Sequence, residues 1–153
     1  MPPWISWSAR AEGEKLRADI EEKLVAIERM RETVAGRAPL VAEEYRARLA
    51  ARLEELLADV ALDEGRLANE VALFSDRCSI AEELTRLTSH IEQTRVMLAA
   101  GEPVGRKLDF MMQEFNREVN TICSKANDLA ITNAGLTMKN EIEKMREQVQ
   151  NIE

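Results

Sequence analysis

The sequence predicts an all-α protein, with antiparallel helical hairpins that form a bundle of about five helices. Apolar residues recur at the three- and four-residue spacing of amphipathic helices over most of the chain. Aromatic residues make up only 4% of the 153 residues, and 6 Gly and 4 Pro leave little material for strands and tight turns. Hydrophobic residues at 45% and charged residues at 32% are typical of a folded helical protein rather than a disordered chain.

Residues 1–62 are predicted to form a helical hairpin that serves as a strap or an assembly arm. One amphipathic helix is expected over about 9–35 and a second over about 40–58. Gly36 is suited to cap the first helix, and Pro39 should prevent its continuation. Both helices alternate acidic and basic residues without a cluster of chemically reactive side chains, so a structural role is favoured.

Residues 63–153 are predicted to form a second helical domain, which carries a candidate active-site groove. Asp63 can cap a helix over about 64–78. The S-x-x-E sequence that starts at Ser79 is a capping box, so a new helix is expected to begin there.

The centre of this domain is predicted to be a hairpin of two helices, over about 79–100 and 104–126, joined at Gly101-Glu102-Pro103. The apolar stripes of the two helices should face each other, and they contain Ile80, Leu84, Leu87, Ile91 and Leu98 in the first and Leu108, Met111, Phe115, Val119 and Ile122 in the second. A last helix over about 130–152 should pack on the hairpin or on a neighbouring subunit. Its stripe contains Ile131, Leu136, Ile142, Met145 and Val149.

Polar residues lie beside both apolar stripes of the hairpin. Because the helices are antiparallel, polar positions just before each stripe should turn toward the same side and line one groove. Folding the chain about residues 102–103 places His90 level with Glu114 and Arg86 level with Glu118. Two carboxylates, an imidazole, a guanidinium and the ammonium of Lys125 are therefore expected to converge.

Glu114 and Glu118 lie four residues apart, so their charges repel unless a cation lies between them. Oxygen ligands with a single imidazole suit Mg²⁺ or Mn²⁺ better than zinc. His90 is the only histidine of the chain, and a lone histidine on a helix is more often structural. The alternative to a metal site is neutralisation of the carboxylates by nearby cations, namely Arg86, Arg117 or Lys125.

Other polar groups are weaker candidates. The acidic residues Glu70, Asp76 and Glu83 could complete a metal cluster, although an ion pair with Arg77 explains Asp76 equally well. Arg106-Lys107 lies at a predicted helix start, where free backbone N–H groups and the helix dipole favour anions. A solvated helix start is the more common explanation for such a pair.

Three long segments carry a family likeness, namely DRCSIAEELTRLTSHI, GEPVGRKLDFMMQEFNREVNTICSKAND and EIEKMREQVQNIE. They resemble the C-terminal region of the bacterial YicC family, and a weaker likeness continues upstream in AEGEKLRADIEEKL and APLVAEEYRARLAARLEELL. Family members are similar to metal-dependent endoribonucleases that oligomerise. The family also has a β-containing N-terminal region without a counterpart here, so activity of this chain alone is left open.

The resemblance implies hydrolysis of RNA phosphodiester bonds with Mn²⁺ or Mg²⁺, in a homo-oligomer for which a hexamer is one candidate. The implied catalytic and metal-binding residues are Glu83, His90, Glu114 and Glu118. The implied RNA or phosphate contacts are Arg86, Arg106, Lys107, Arg117, Asn120 and Lys125. Additional candidates are Glu70, Asp76 and Asp128.

Composition keeps a second reading open, a non-enzymatic helical module for oligomerisation or RNA binding. The net charge of −7 argues against a general polyanion binder, so RNA binding would need a local basic patch or a bridging metal. Cys78 and Cys123 form no CxxC motif, which favours a reducing compartment. The sequence contains no convincing signal peptide and no membrane span, and a cytoplasmic location is expected.

Overall fold

The computed structural model describes residues 3–100 and 105–151, with side chains from residue 12 onward. This part of the chain forms five helices and no strand, which confirms the all-α prediction. The helices are α1 (Pro3–Leu57), α2 (Glu64–Cys78), α3 (Ala81–Ala99), α4 (Gly105–Ala126) and α5 (Leu129–Gln150). The predicted connection at Gly101-Glu102-Pro103 lies outside the described residues.

α1 is one continuous helix with Pro39 inside it, so the predicted break at residues 36–39 is wrong. The hairpin predicted for residues 1–62 is therefore not formed. Val34 and Val41 lie two turns apart on one face of α1, on either side of Pro39, and both are buried in the core. Their packing outweighs the local helix-breaking signals of glycine and proline. The use of this segment as a strap or assembly arm stays a prediction.

α5 packs against both α1 and α4, and α3 packs against α4 and α1. Ion pairs between Lys23 and Glu141 (3.9 Å) and between Arg37 and Asp128 (2.9 Å) show that α5 runs antiparallel to α1. α2 lies against α1, where Tyr45 stacks on Phe74 with 3.8 Å between ring centroids. Residues from all five helices share one hydrophobic core, which therefore extends across position 62.

The predicted stripes of the central hairpin are confirmed. The stripe residues of the first helix, from Ile80 to Ile91, are buried, and Leu98 at its end is half-buried. Every predicted stripe residue of α4 is buried. The stripe of α5 is wrong at one position, because Leu136 is exposed. Gly135 and Met138 face the core instead. Among the residues that the structure describes, no helix is long and apolar enough to cross a membrane.

Two helix starts were expected to be capped by side chains, and one of them is. Asp63 caps α2 by accepting the backbone N–H of Arg66 at 3.1 Å. The capping box predicted at Ser79 is wrong, because α3 begins at Ala81 and its cap residue, Ile80, makes no side-chain hydrogen bond. Ser79 ends α2 by donating its backbone N–H to the carbonyl of Asp76. The buried side chain of Ile80 anchors this junction in the core.

Candidate metal and RNA site

The antiparallel packing of α3 on α4 brings one histidine and two glutamates together, and we call His90, Glu114 and Glu118 the triad. One ring nitrogen of His90 and one carboxylate oxygen from each glutamate lie within 4.8 Å of one another. The two glutamates are one turn apart on α4 and face the same stretch of α3. The prediction that His90 lies level with Glu114 across the hairpin is therefore confirmed.

The imidazole of His90 lacks hydrogen-bond partners within the described part of the chain. Both ring nitrogens are buried, and neither is bonded to another residue. The edge of the ring meets Phe115, with 6.0 Å between centroids and 75° between planes. A buried polar group without a partner is unfavourable unless something binds it. One imidazole and two carboxylates suit a hard divalent cation, so the triad fits Mn²⁺ or Mg²⁺.

Glu118 also has a protein cation beside it. This arrangement is the one expected if arginine, rather than a metal, neutralises the carboxylate. The Nε of Arg86 donates to Oε1 of Glu118 at 2.9 Å, and this hydrogen bond raises the pKa of the guanidinium. Glu118 is only 4% exposed. Glu114 has a weaker counter-ion, because the exposed Arg117 lies 3.9 Å away. An arginine therefore neutralises much of the charge of Glu118, whereas Glu114 is neutralised only slightly.

Glu83 lies next to the triad but outside it. It is 2% exposed, and its Oε1 accepts hydrogen bonds from Lys125 Nζ at 2.9 Å and from Arg86 Nη2 at 3.4 Å. Its Oε2 is buried and has no hydrogen-bond partner in the described residues. Burial alone would raise the pKa of Glu83, but Lys125 and Arg86 outweigh it and hold the pKa below its usual range. The structure thus gathers Glu83 with two cations rather than with the atoms of the triad.

Two of the other predicted phosphate contacts lie far along α4 from Glu118. Asn120 is an exposed residue of α4. Arg106 and Lys107 are exposed at the start of α4, about 16–18 Å along the helix axis from Glu118 at the usual rise per residue. Contact of all of them with one phosphate group is therefore excluded by distance, although a long RNA can reach both ends of the helix.

The three additional acidic candidates are not brought to the triad. Glu70 and Asp76 are exposed on α2. Asp128 caps α5 by accepting the N–H of Ile131 at 3.1 Å, and it pairs with Arg37 of α1 at 2.9 Å. Its carboxylate is therefore engaged in holding α5 against α1, and its role as an additional site residue stays a prediction.

Sequence reasoning overlooked two neighbours of the site. Phe115 was assigned only to the apolar stripe, yet its ring packs against His90; its position directly after Glu114 was the available signal. Glu82 was assigned to a capping box, but its carboxylate lies 3.6 Å from Nη1 of Arg86. The i, i+4 spacing of these two residues predicts such a pair.

Comparison with known proteins assigns the chain to a family. A sequence model described as "Endoribonuclease YicC-like, C-terminal" matches residues 34–153, which include the whole site and the second half of α1. The chain belongs to the YicC-like endoribonuclease family. The match begins well before residue 63, where the second domain was predicted to start.

Two curated relatives of the YicC-like family carry the name "Probable endoribonuclease YicC". The relative from Clostridioides difficile (strain 630) is 46% identical over 143 residues, which cover 93% of this chain and 49% of the relative. The relative from Haemophilus influenzae is 44% identical over 142 residues, again 93% of this chain and 49% of the relative. The chain thus spans about half the length of the curated relatives it matches.

Proposed function

We propose that this chain carries the metal-binding and phosphate-binding part of an endoribonuclease site and hydrolyses RNA phosphodiester bonds with Mn²⁺ or Mg²⁺. The observation that carries the proposal is the triad, where the buried ring nitrogens of His90, which bond no other described residue, lie beside two glutamates. The names of the family and of its relatives support RNA as the substrate.

In this proposal His90, Glu114 and Glu118 hold the metal. When bound, a divalent cation neutralises charge on the phosphate and helps to activate a water molecule. Phe115 fixes the plane of the His90 ring, and Arg86 orients the carboxylate of Glu118 through its hydrogen bond. Arg86 and Lys125 contact phosphate oxygens. The side chains of both residues are half-exposed beside the triad, so a phosphate group can reach their charged ends.

The test is cleavage of a structured RNA by the purified chain with Mn²⁺, with Mg²⁺ or with EDTA. Glu114→Gln keeps the shape of the side chain but removes a ligand charge, so cleavage should fall about 100-fold or more, and calorimetry should show a matching loss of Mn²⁺ affinity. Glu143→Gln is the matched control, since Glu143 is an exposed glutamate of α5. Cleavage that persists in EDTA, or that survives Glu114→Gln, would refute the proposal.

We also propose that the chain forms a homo-oligomer, which would remain true if it acted only as a non-enzymatic assembly module. Leu129 and Leu136 lie two turns apart on α5, and both are exposed. Exposed apolar side chains on one face favour contact with another protein surface. Light scattering should show a mass above 17.3 kDa that falls in Leu136→Glu. A monomeric parent chain would contradict this proposal without affecting the metal-site experiment.

A further inference from the structure

Glu83 is the centre of a second charged group beside the triad. It belongs to α3, one turn before Arg86, while Lys125 belongs to the last turn of α4. A single oxygen of the buried carboxylate accepts hydrogen bonds from both cations. Arg86 also bonds Glu118, so it connects the group to the triad.

The burial of Glu83 differs sharply from the exposure of its partners. The carboxylate side chain is 3% exposed, whereas the side chains of Arg86 and Lys125 are 47% and 41% exposed. A buried ion pair contributes little net stability compared with apolar residues of similar size. The arrangement does fix two long side chains that would otherwise sample many rotamers. Two cations held side by side at the surface form a prepared binding site for an oxyanion.

The charge balance of the combined groups favours a phosphate only once a metal is bound. Three buried or half-buried carboxylates and two cations leave one negative charge on the set of Glu83, Glu114, Glu118, Arg86 and Lys125. A divalent cation at the triad reverses this sign. The nearby Glu82 is 83% exposed, so water and salt screen its charge strongly.

We infer that Glu83 is a positioning residue, which holds Arg86 and Lys125 as a phosphodiester-binding pair and does not itself bind the metal. The inference rests on the proposed function, because it takes the RNA backbone as the ligand. Glu83 acts through the two cations, so its loss should impair RNA binding and leave metal binding largely unchanged.

The sign of the change in RNA affinity separates positioning from simple electrostatics. Removal of a negative charge near a phosphate would by itself tighten binding. If Glu83 positions the cations, Glu83→Gln should instead weaken binding about tenfold, the loss expected for one misplaced charge-assisted hydrogen bond. Glu82→Gln is the matched control, because it removes an adjacent exposed carboxylate that also faces Arg86. This control should leave affinity unchanged or tighten it slightly.

The measurement is fluorescence anisotropy of labelled oligouridine with the full chain, in EDTA and in Mn²⁺. Glu83→Gln should cost less RNA affinity in a Lys125→Gln chain than in the parent chain, because the part of its effect that acts through Lys125 is already lost there. Lys125→Gln should also lower the salt dependence of log K by about 0.7, the value for one contact with single-stranded RNA. Calorimetry should show a change of less than about threefold in Mn²⁺ affinity for Glu83→Gln, far below the loss expected for a ligand.

Three results would overturn the inference: RNA affinity that stays equal or rises in Glu83→Gln, additive effects of the two substitutions, or a loss of Mn²⁺ affinity above about tenfold. Glu83→Asp covers the case in which Glu83→Gln does not fold, because it keeps the buried charge and only withdraws it from Lys125. It should weaken RNA binding at unchanged charge. Failure of the parent chain to bind any RNA would refute the proposed function as well, whereas normal cleavage and binding by Glu83→Asp would refute the positioning role alone.

Discussion

Pro39→Ala should stabilise the chain, because the structure places Pro39 inside a continuous helix. Pro39 has no N–H to donate to the carbonyl of Ala35, and its ring crowds that carbonyl. Its side chain is exposed, so alanine sacrifices little buried surface. Gly36 lies one turn earlier in the same helix, and a Cβ added there meets no atom within 4 Å. Gly36→Ala should therefore also be stabilising.

The two gains follow from helix propensity. Proline in a helix interior costs about 3 kcal/mol relative to alanine, and glycine costs about 1 kcal/mol. For a chain of this length, 1 kcal/mol corresponds to roughly 2–4 °C in the unfolding midpoint. We expect a rise of roughly 6–12 °C for Pro39→Ala and of roughly 2–4 °C for Gly36→Ala.

The assay is urea and thermal unfolding followed by far-UV circular dichroism, with both variants and the parent chain under one buffer condition. If residues 36–39 formed the turn that their sequence suggests, Gly36 would need its conformational freedom and Pro39 its fixed φ angle. Both substitutions would then be destabilising. Lower midpoints for the two variants would refute a continuous α1.

The remaining predictions concern packing, capping and acid stability. Gly135→Ala should destabilise the chain by about 1–3 kcal/mol in urea unfolding, because its Cβ would overlap Sγ of Cys123, and Cys123→Ala should restore most of the loss. Asp128→Ala should cost about 1 kcal/mol at neutral pH through loss of the α5 cap, whereas full stability would contradict that role. Hydrogen bonding to Arg37 holds the pKa of Asp128 below its usual range, and the pKa of Glu83 is also lowered. The stability that the two ionised carboxylates contribute is present above their unfolded pKa values near 4 and is lost as the pH falls through their folded pKa values. The free energy of unfolding should therefore fall less steeply with decreasing pH in Asp128→Asn than in the parent chain.

The helices of the central hairpin could be predicted from sequence because burial there follows one regular period. Leu87, Ile91, Phe115 and Val119 are all buried where the spacing placed them. The break at Pro39 failed for the opposite reason. Local signals describe the cost of continuing a helix, but they do not include the burial of Val34 and Val41, which only the folded chain reveals.

Part of the site could likewise be predicted from the sequence, and part could not. The level match of His90 with Glu114 follows from the position of the turn and from helix geometry, both of which the sequence contains. Pairing among neighbouring charges depends on side-chain direction, which spacing does not fix. Glu83 was therefore grouped with the predicted metal ligands, although it accepts hydrogen bonds from Lys125 and Arg86. The pairing of Asp128 with Arg37 could not be predicted either, since Arg37 comes from a distant part of the chain.

The continuity of α1 bears directly on the geometry of the site. Arg31 of α1 donates from Nε to the carbonyl of Leu84 at 3.0 Å, directly beside Glu83 in α3. Farther along α3, Arg95 bonds Glu21 of α1 at 2.9 Å and also pairs with Glu28. α3 is thus tied to α1 at two points while its opposite side presents Glu83, Arg86 and His90 to α4. A hairpin broken at Pro39 would free the segment that carries Arg31 from the packing of Val41. The same buried valines that overrule the proline therefore also help to hold the charged groups of α3 in register with those of α4.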